Sequence, residues 1–361
     1  HTAIRSSMLP VAQDVRSVAK RLGVSTEAVT LTRSCDVIDL HLDTFIPVRL
    51  FGYNPARRHG LGLTRGRFFG HHDIPRAVAA GLTGGMWSIT TNPLRTPSGR
   101  WQTFLRNARR FEKWIEAQPE LQLVKTHGEY LSARAAGKHA CMMAVQGGNC
   151  FDAAPESVAS VPHRTITRVT LLHLTHSRLG TSSTPVPTLR KHKGLTPQGR
   201  RLVEVMNSER MFVDLAHIHP AGFWDAVDVH DRSQPLIDTH TGVRGVTPVW
   251  RNLDDRQLKA IADTGGTIGV IFAAHFLFGA HRHRDSRMIL AHLQHIIDVV
   301  GDDFASIGSD FDGAIIPPPD LRTAEAYPRL VQHMLDAGWS ELRIRKILGG
   351  NFLRAFAALR P

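Results

Sequence analysis

Apolar segments typical of buried strands alternate with helical segments along most of this chain. His139 to Gln146 is one such strand, and Trp101 to Gln118 carries apolar side chains at helical spacing. Alternating strands and helices predict a parallel sheet, and about eight such units predict a closed barrel. We therefore predict an α/β protein, a (β/α)8 TIM-type barrel over residues 35–361 with a short helical extension over residues 1–34. The predicted strands cover residues 36–44, 83–89, 139–146, 167–175, 211–215, 235–237, 266–272 and 305–307.

The first predicted strand ends with two polar side chains, His41 and Asp43. Residues two apart in a strand point to the same face, so an imidazole and a carboxylate can bind one zinc, manganese, iron or cobalt ion. By itself this pair is more typical of a strand that runs into a polar turn. Other predicted strands also end in polar residues, however, and the strand ends of a barrel meet at one mouth, which predicts a shared site. These residues are Gln146, His176, His217, His240 and Asp310.

Composition limits the possible classes of protein. A chain of 361 residues that is 42% hydrophobic can bury a large core. No run approaches the roughly 18 apolar residues of a membrane helix, and the N-terminus has no apolar signal core. The three cysteines lack Cys-x-x-Cys spacing and are expected to be free thiols in a reducing compartment. We expect a soluble cytoplasmic protein, although His1 in place of methionine leaves open a signal removed before residue 1.

The formal net charge of +12 raises the question of nucleic acid. The basic residues occur in short, scattered groups with few aromatic residues between them, such as Arg57-Arg58 and Arg109-Arg110. This pattern favours a solvated basic surface that attracts anionic small molecules, with a nucleic-acid face as the lesser hypothesis.

Several motifs, in order, resemble the renal or membrane dipeptidase family of metallopeptidases from about Asp36 to Leu359. Their number and order make the resemblance specific for fold and family, but not for substrate. The motifs are Asp39-Leu-His41-Leu-Asp43, Gly147-Gly148, Leu174-Thr-His176, Gly194-Leu-Thr-Pro-x-Gly199, Val213-Asp-Leu-Ala-His217, Thr239-His240-Thr, Arg251-Asn252, Thr264-Gly-Gly266 and Gly308-Ser-Asp310-Phe-Asp312-Gly313.

The resemblance implies an amidohydrolase-like barrel with a dinuclear zinc site. His41 and Asp43 would bind one ion, and His217 and His240 the other. Gln146 stands where the family has a glutamate that bridges both ions. Family analogy also suggests a homodimer.

The same resemblance implies three further roles. Asp310 would handle the proton of the attacking hydroxide, and His176 would polarise the scissile carbonyl. Arg251 would pair with the carboxylate of the substrate, for which its forked guanidinium is suited.

Two departures from the family pattern limit what can be transferred. A carboxylate can join two dications, whereas the Gln146 amide offers one neutral oxygen, so we expect the second ion to bind weakly. Three explanations stay open: a mononuclear site, an engineered substitution that traps an inactive form, or loss of hydrolysis. Ala273 also replaces the tyrosine expected after Ile271-Phe272 in the substrate pocket, with His275 as a possible donor nearby.

The leading hypothesis is a metal-dependent hydrolase, with one or two zinc ions, that cleaves an amide or peptide-like C–N bond in a small substrate carrying a carboxylate. One alternative keeps the barrel and a single ion but performs a different reaction on a small metabolite. The other is a non-hydrolytic binding protein.

Overall fold

The computed structural model describes residues 14–186, 189–279 and 283–361. Its strands pair in parallel in the order β1-β2-β4-β5-β6-β7-β8-β9, and β3 pairs with β4 outside this path. The strands are β1 Ile38–Leu42, β2 Gly84–Thr90, β3 Leu121–Leu123, β4 His139–Gln146, β5 Ile166–Thr170, β6 Phe212–Asp214, β7 Ile237–Thr241, β8 Thr267–Val270 and β9 Ala305–Ile307.

The barrel closes between β1 and the segment that follows β9. The Asp43 N–H donates to Phe311 O at 2.9 Å, and the Asp310 N–H donates to His41 O at 3.0 Å. Closure brings two polar strand ends from opposite ends of the chain side by side. The prediction of a (β/α)8 barrel is confirmed.

Helices surround the barrel and bury their apolar faces against it. The α-helices are α1 Val15–Leu22, α2 Thr26–Ser34, α3 Phe45–Phe51, α4 Ile74–Ala80, α5 Pro97–Glu116, α6 His127–Ala135, α7 Pro197–Ser208, α8 Pro220–Val229, α9 Asp255–Ala262, α10 Ala274–Leu277, α11 Arg287–Val300, α12 Tyr327–Asp336, α13 Glu341–Arg345 and α14 Asn351–Leu359.

Capping side chains fix where several helices begin. Ser25 Oγ accepts a hydrogen bond from the Ala28 N–H, and Thr196 Oγ1 accepts one from the Gly199 N–H. Side chains of this kind satisfy the free N–H groups of a first helical turn. A π-helical turn, Lys346–Gly350, lies between α13 and α14.

The predicted N-terminal extension is described only in part, because residues 1–13 lie outside the described residues. Within it, α1 and α2 precede β1, and Ala28 and Leu31 of α2 belong to the main hydrophobic core. The boundary at residue 34 stays a prediction. In the part of the chain that the structure covers, no helix has both the length and the apolar character needed to cross a membrane.

Candidate metal centre

After three of the strands, the chain carries a polar side chain at the same position, three residues beyond the end of the strand. Thr170 ends β5 and is followed by His173, Asp214 ends β6 and is followed by His217, and Ile307 ends β9 and is followed by Asp310. His217 and Asp310 have φ angles of 64° and 62°. Non-glycine residues rarely adopt this left-handed conformation, which is concentrated at functional sites.

His41, Asp43 and Asp310 form one group of converging side chains. His41 Nε2 lies 3.6 Å from Asp43 Oδ1 and 3.8 Å from Asp310 Oδ1. Ligand atoms about 2.1 Å from a tetrahedral ion lie about 3.4 Å apart, so these separations suit a divalent cation. Asp310 Oδ1 is buried and has no hydrogen-bond partner within the described ranges. A buried carboxylate oxygen that has no protein donor and faces an imidazole suits a divalent cation as its partner.

A second group lies on the adjoining side of the mouth. His217 Nε2 and His240 Nε2 are 2.9 Å apart, and the rings of His41 and His240 lie 3.7 Å centre to centre. Thr239 Oγ1 lies 2.8 Å from His240 Nδ1, which orients the other ring nitrogen towards His217. Hydrogen bonding at one ring nitrogen is the usual way to orient a histidine ligand. The residues predicted for the two ion positions therefore meet at one place.

Gln146 ends β4 and lies against the first group. Oriented with its nitrogen towards Asp43, its amide donates to Asp43 Oδ1 and Oδ2 at 2.8 and 2.6 Å, and its oxygen accepts from His41 Nε2 at 3.1 Å. The amide thus contacts both His41 and Asp43, and its place between two ions stays a prediction. It supplies an oxygen there but no negative charge.

Burial dominates the electrostatics of these groups. It raises the pKa of Asp43 to about 7, and burial with the charge of Asp43 raises the pKa of Asp310 well above its usual value. Burial lowers the pKa of His41, His217 and His240 well below the usual value. The imidazoles are therefore neutral, as metal ligands must be. A nearby cation would favour the ionised forms of both carboxylates.

Beneath His41, a fully buried ion pair fills the barrel interior. Arg168 Nη1 lies 3.2 Å from Asp214 Oδ2, and Arg168 Nη2 lies 3.3 Å from His41 Nδ1. Thr239 Oγ1, 3.2 Å from the same nitrogen, is the acceptor available to an Nδ1–H when Nε2 binds an ion. Arg168 was not predicted as part of the site, because an arginine within a strand is expected to face solvent.

His176 does not join the cluster, contrary to the sequence prediction. The chain leaves β5 at Thr170, and Leu174 takes a φ of 41°, which carries His176 onto an exposed loop. There its Nδ1 accepts from the Ser182 N–H at 3.2 Å. His173 instead faces the centre, with its ring 4.7 Å from that of His217. Burial lowers the pKa of His173 to about 4, partly offset by Asp43.

Arg251, in the segment after β7, is buried beside the centre. Its Nη2 donates to His240 O at 2.6 Å, while its Nε has no partner in the parts of the chain that are described. Burial and the charge of Asp43 raise the pKa of Asp310, and the positive charge of Arg251 opposes this shift. A free donor on a buried guanidinium suits an anionic ligand.

Comparison with known proteins gives consistent matches. The family model described as membrane dipeptidase (Peptidase family M19) matches residues 25–360. An uncharacterised protein in the pqqA 5′ region of Klebsiella pneumoniae is 37% identical over 165 residues, 45% of this chain and 59% of that protein. Dipeptidase 3 of Mus musculus is 27% identical over 337 residues, 91% of this chain and 66% of that protein. The chain thus spans less than two thirds of the length of either relative.

A solved structure agrees over nearly its whole length. The metallopeptidase from Rhodobacter sphaeroides, liganded with a phosphinate mimic of the dipeptide L-Ala-D-Ala, has a TM-score of 0.77 and 27% identity. The match covers 90% of this chain and 99% of that one. With the family model matched from residue 25 to residue 360, this chain belongs to the membrane dipeptidase family, Peptidase family M19.

Proposed function

We propose that this protein is a metal-dependent hydrolase that cleaves an amide or peptide-like C–N bond in a small substrate carrying a carboxylate. The observation that carries the proposal is the convergence of His41, Asp43, His217, His240 and Asp310 at one mouth of the barrel. Family membership supports the same reaction. The dipeptide mimic bound by the Rhodobacter sphaeroides relative supports a dipeptide-like substrate.

The donor set supports zinc as the cofactor. Imidazole nitrogens and carboxylate oxygens are usual zinc ligands, and a bound divalent ion lowers the pKa of water to about 7. Asp310 then accepts the proton of the attacking water and passes it to the leaving amine. Arg251 holds the substrate carboxylate with the donor that the protein leaves free.

Metal analysis combined with dipeptide assays tests this proposal. We expect at least one divalent ion per chain in the purified protein and hydrolysis of L,L or L,D dipeptides, which should stop on chelation and return with zinc. A protein that retains the ion but cleaves no dipeptide would instead support a different reaction. A protein that binds no divalent ion would contradict the proposal.

Gln146 favours a second candidate, a mononuclear family member that performs another reaction on a small metabolite. Its amide contacts both Asp43 and His41 but brings no charge to offset two dications. The predicted homodimer and cytoplasmic location stay predictions.

We also propose that His173 takes the carbonyl-polarising role that the sequence motif assigned to His176. Changing His173 to alanine should lower kcat at least about tenfold, because a positioned proton donor near a developing oxyanion contributes at this scale or more. The matched His176→Ala variant should stay within about twofold, because that side chain is exposed. Steady-state kinetics on both variants distinguishes them, and the reverse order of effects would restore His176.

A further inference from the structure

A basic groove lies outside the metal centre, between α3 and α5. Its volume is about 640 Å³. One wall of the groove is aromatic and consists of Phe45, Phe111 and Trp114. The rings of Phe45 and Phe111 pack edge to face, with their centres 3.8 Å apart. Such a wall suits a flat or apolar ligand surface.

Four arginines line the same groove: Arg49, Arg95, Arg106 and Arg110. Among the lining residues that the structure describes there is no carboxylate. Arg49 Nη1 donates to Thr90 O at 2.6 Å, and Arg106 Nη2 donates to Thr103 Oγ1 at 3.0 Å. These acceptors are neutral and do not offset the positive charge.

The positive charges of Arg95 and Arg110 act on Arg49. The pKa of Arg49 is lowered first by burial and then by the charges of Arg95 and Arg110, while Asp43 opposes this shift. Like charges gathered in a partly buried groove are unfavourable, and an anion between them removes that cost. The groove is therefore complementary to a ligand with negative charge beside an apolar or aromatic surface.

The groove adjoins a second cavity that lies at the metal centre. A second cavity of about 260 Å³ shares Arg49, Leu50 and Asn92 with it and reaches Gln146 and His173. A ligand that extends from the centre into the second cavity would therefore meet Arg49, which also lines the groove.

The order of the strands around the barrel shows where Arg251 lies relative to the groove. Arg251 follows β7, which stands four strands from β2 in the closed sequence β1-β2-β4-β5-β6-β7-β8-β9. In an eight-stranded barrel four strands is half the circumference, so Arg251 lies across the mouth from the groove beside β2. A substrate whose carboxylate pairs with Arg251 points its other end, the acyl half, towards the arginines.

We propose that the groove is a specificity subsite for the acyl half of the substrate, and that this half carries negative charge beside an apolar or aromatic surface. This inference rests on the proposed function for the orientation of the substrate. The presence of an anion site in the groove is independent of it.

The first experiment tests the anion site alone. Isothermal titration calorimetry on the full chain with benzene-1,3-disulfonate, an aromatic dianion that binds metals poorly, should show binding that weakens with salt. Arg110→Ala should weaken binding about tenfold, the scale of one charge-assisted hydrogen bond, and Arg95→Ala/Arg110→Ala further. Arg109→Ala is the matched control. The Arg109 side chain is exposed on α5 but does not line the groove, so its loss should change binding less than about twofold.

The second experiment tests the link to the substrate without requiring turnover. A phosphinate mimic of Glu-Ala should bind wild-type protein about tenfold more tightly than the mimic of Ala-Ala, from one added charge contact. Arg110→Ala should abolish this preference, and Arg109→Ala should keep it. Melting temperatures of all variants confirm that they are folded.

The outcomes separate the two proposals. Absence of disulfonate binding, or equal loss in Arg109→Ala and Arg110→Ala, overturns the anion site. Disulfonate binding with equal affinity for the two phosphinates overturns the assignment to the acyl half. Failure of wild-type protein to hydrolyse any dipeptide contradicts the proposed function and leaves the calorimetric result on the groove intact.

Discussion

Replacing Gln146 with glutamate is expected to raise the metal content of the purified protein towards two ions per chain and to increase or create dipeptide hydrolysis. The amide already touches Asp43 and His41 of the first group. A carboxylate there adds a negative charge and a second anionic oxygen, which together can join two dications and offset their repulsion.

The metal-free form of this variant should be less stable than metal-free wild type. The amide nitrogen that lies 2.6 and 2.8 Å from the Asp43 oxygens becomes an oxygen, so two donated hydrogen bonds are replaced by a contact between acceptors. We expect a loss of about 1–3 kcal/mol in the free energy of unfolding. Added zinc should reverse the loss and give a larger thermal shift than in wild type.

Two controls separate charge from shape. Gln146→Met keeps the approximate size but offers no oxygen and no charge, and it should gain neither metal nor activity. Gln122→Glu adds the same charge on β3, outside the barrel path, and should leave the stoichiometry unchanged. Unchanged metal content in Gln146→Glu would contradict this explanation of the substitution.

The barrel could be predicted because its signals are local. The bounds of β4 and β9 in the structure equal the predicted ones, and each is an apolar segment followed directly by glycine. Short elements such as β3 and α10 were not predicted. Three or four residues contain too little periodicity to identify an element, and tertiary contacts decide their conformation.

The candidate site was predictable where the strand end was clear. His41, His240 and Gln146 follow from their place on a strand, since the mouth of a barrel collects strand ends. His173 was missed because the apolar pair Leu171-Leu172 prolongs the strand pattern, so the end of β5 was placed five residues too late. The repeated offset of three residues after β5, β6 and β9 emerges only once the true strand ends are known.

Arg168 shows a different limit of sequence reasoning. An arginine within a strand is expected to face solvent, and only the closed barrel places its guanidinium against Asp214 and His41. Its contacts are made across the barrel interior with residues 46 and 127 positions away in the chain. No local pattern encodes such pairs.

Asp310→Asn is expected to lower kcat by about 100-fold to 10,000-fold with a much smaller change in KM. The asparagine keeps the size of the side chain but cannot accept the proton of the attacking water, and positioned proton transfer contributes at this scale. A fall in kcat without a matching rise in KM would place the effect in the chemical step. Metal analysis of the same preparation must show that ion content is retained.

Asp312→Asn is the matched control, because it changes a second buried aspartate two residues away. Asp312 accepts hydrogen bonds from Thr44 Oγ1 at 2.8 Å and from the His71 N–H at 2.9 Å, so its carboxylate holds two loops together. Its replacement should cost about 1–3 kcal/mol of stability and leave kcat per folded molecule nearly unchanged. If Asp310→Asn retained kcat within about twofold while keeping its metal, the general base would have to be another group. Asp43 is then the next carboxylate to test, since its Oδ1 lies 3.6 Å from His41 Nε2 in the same cluster.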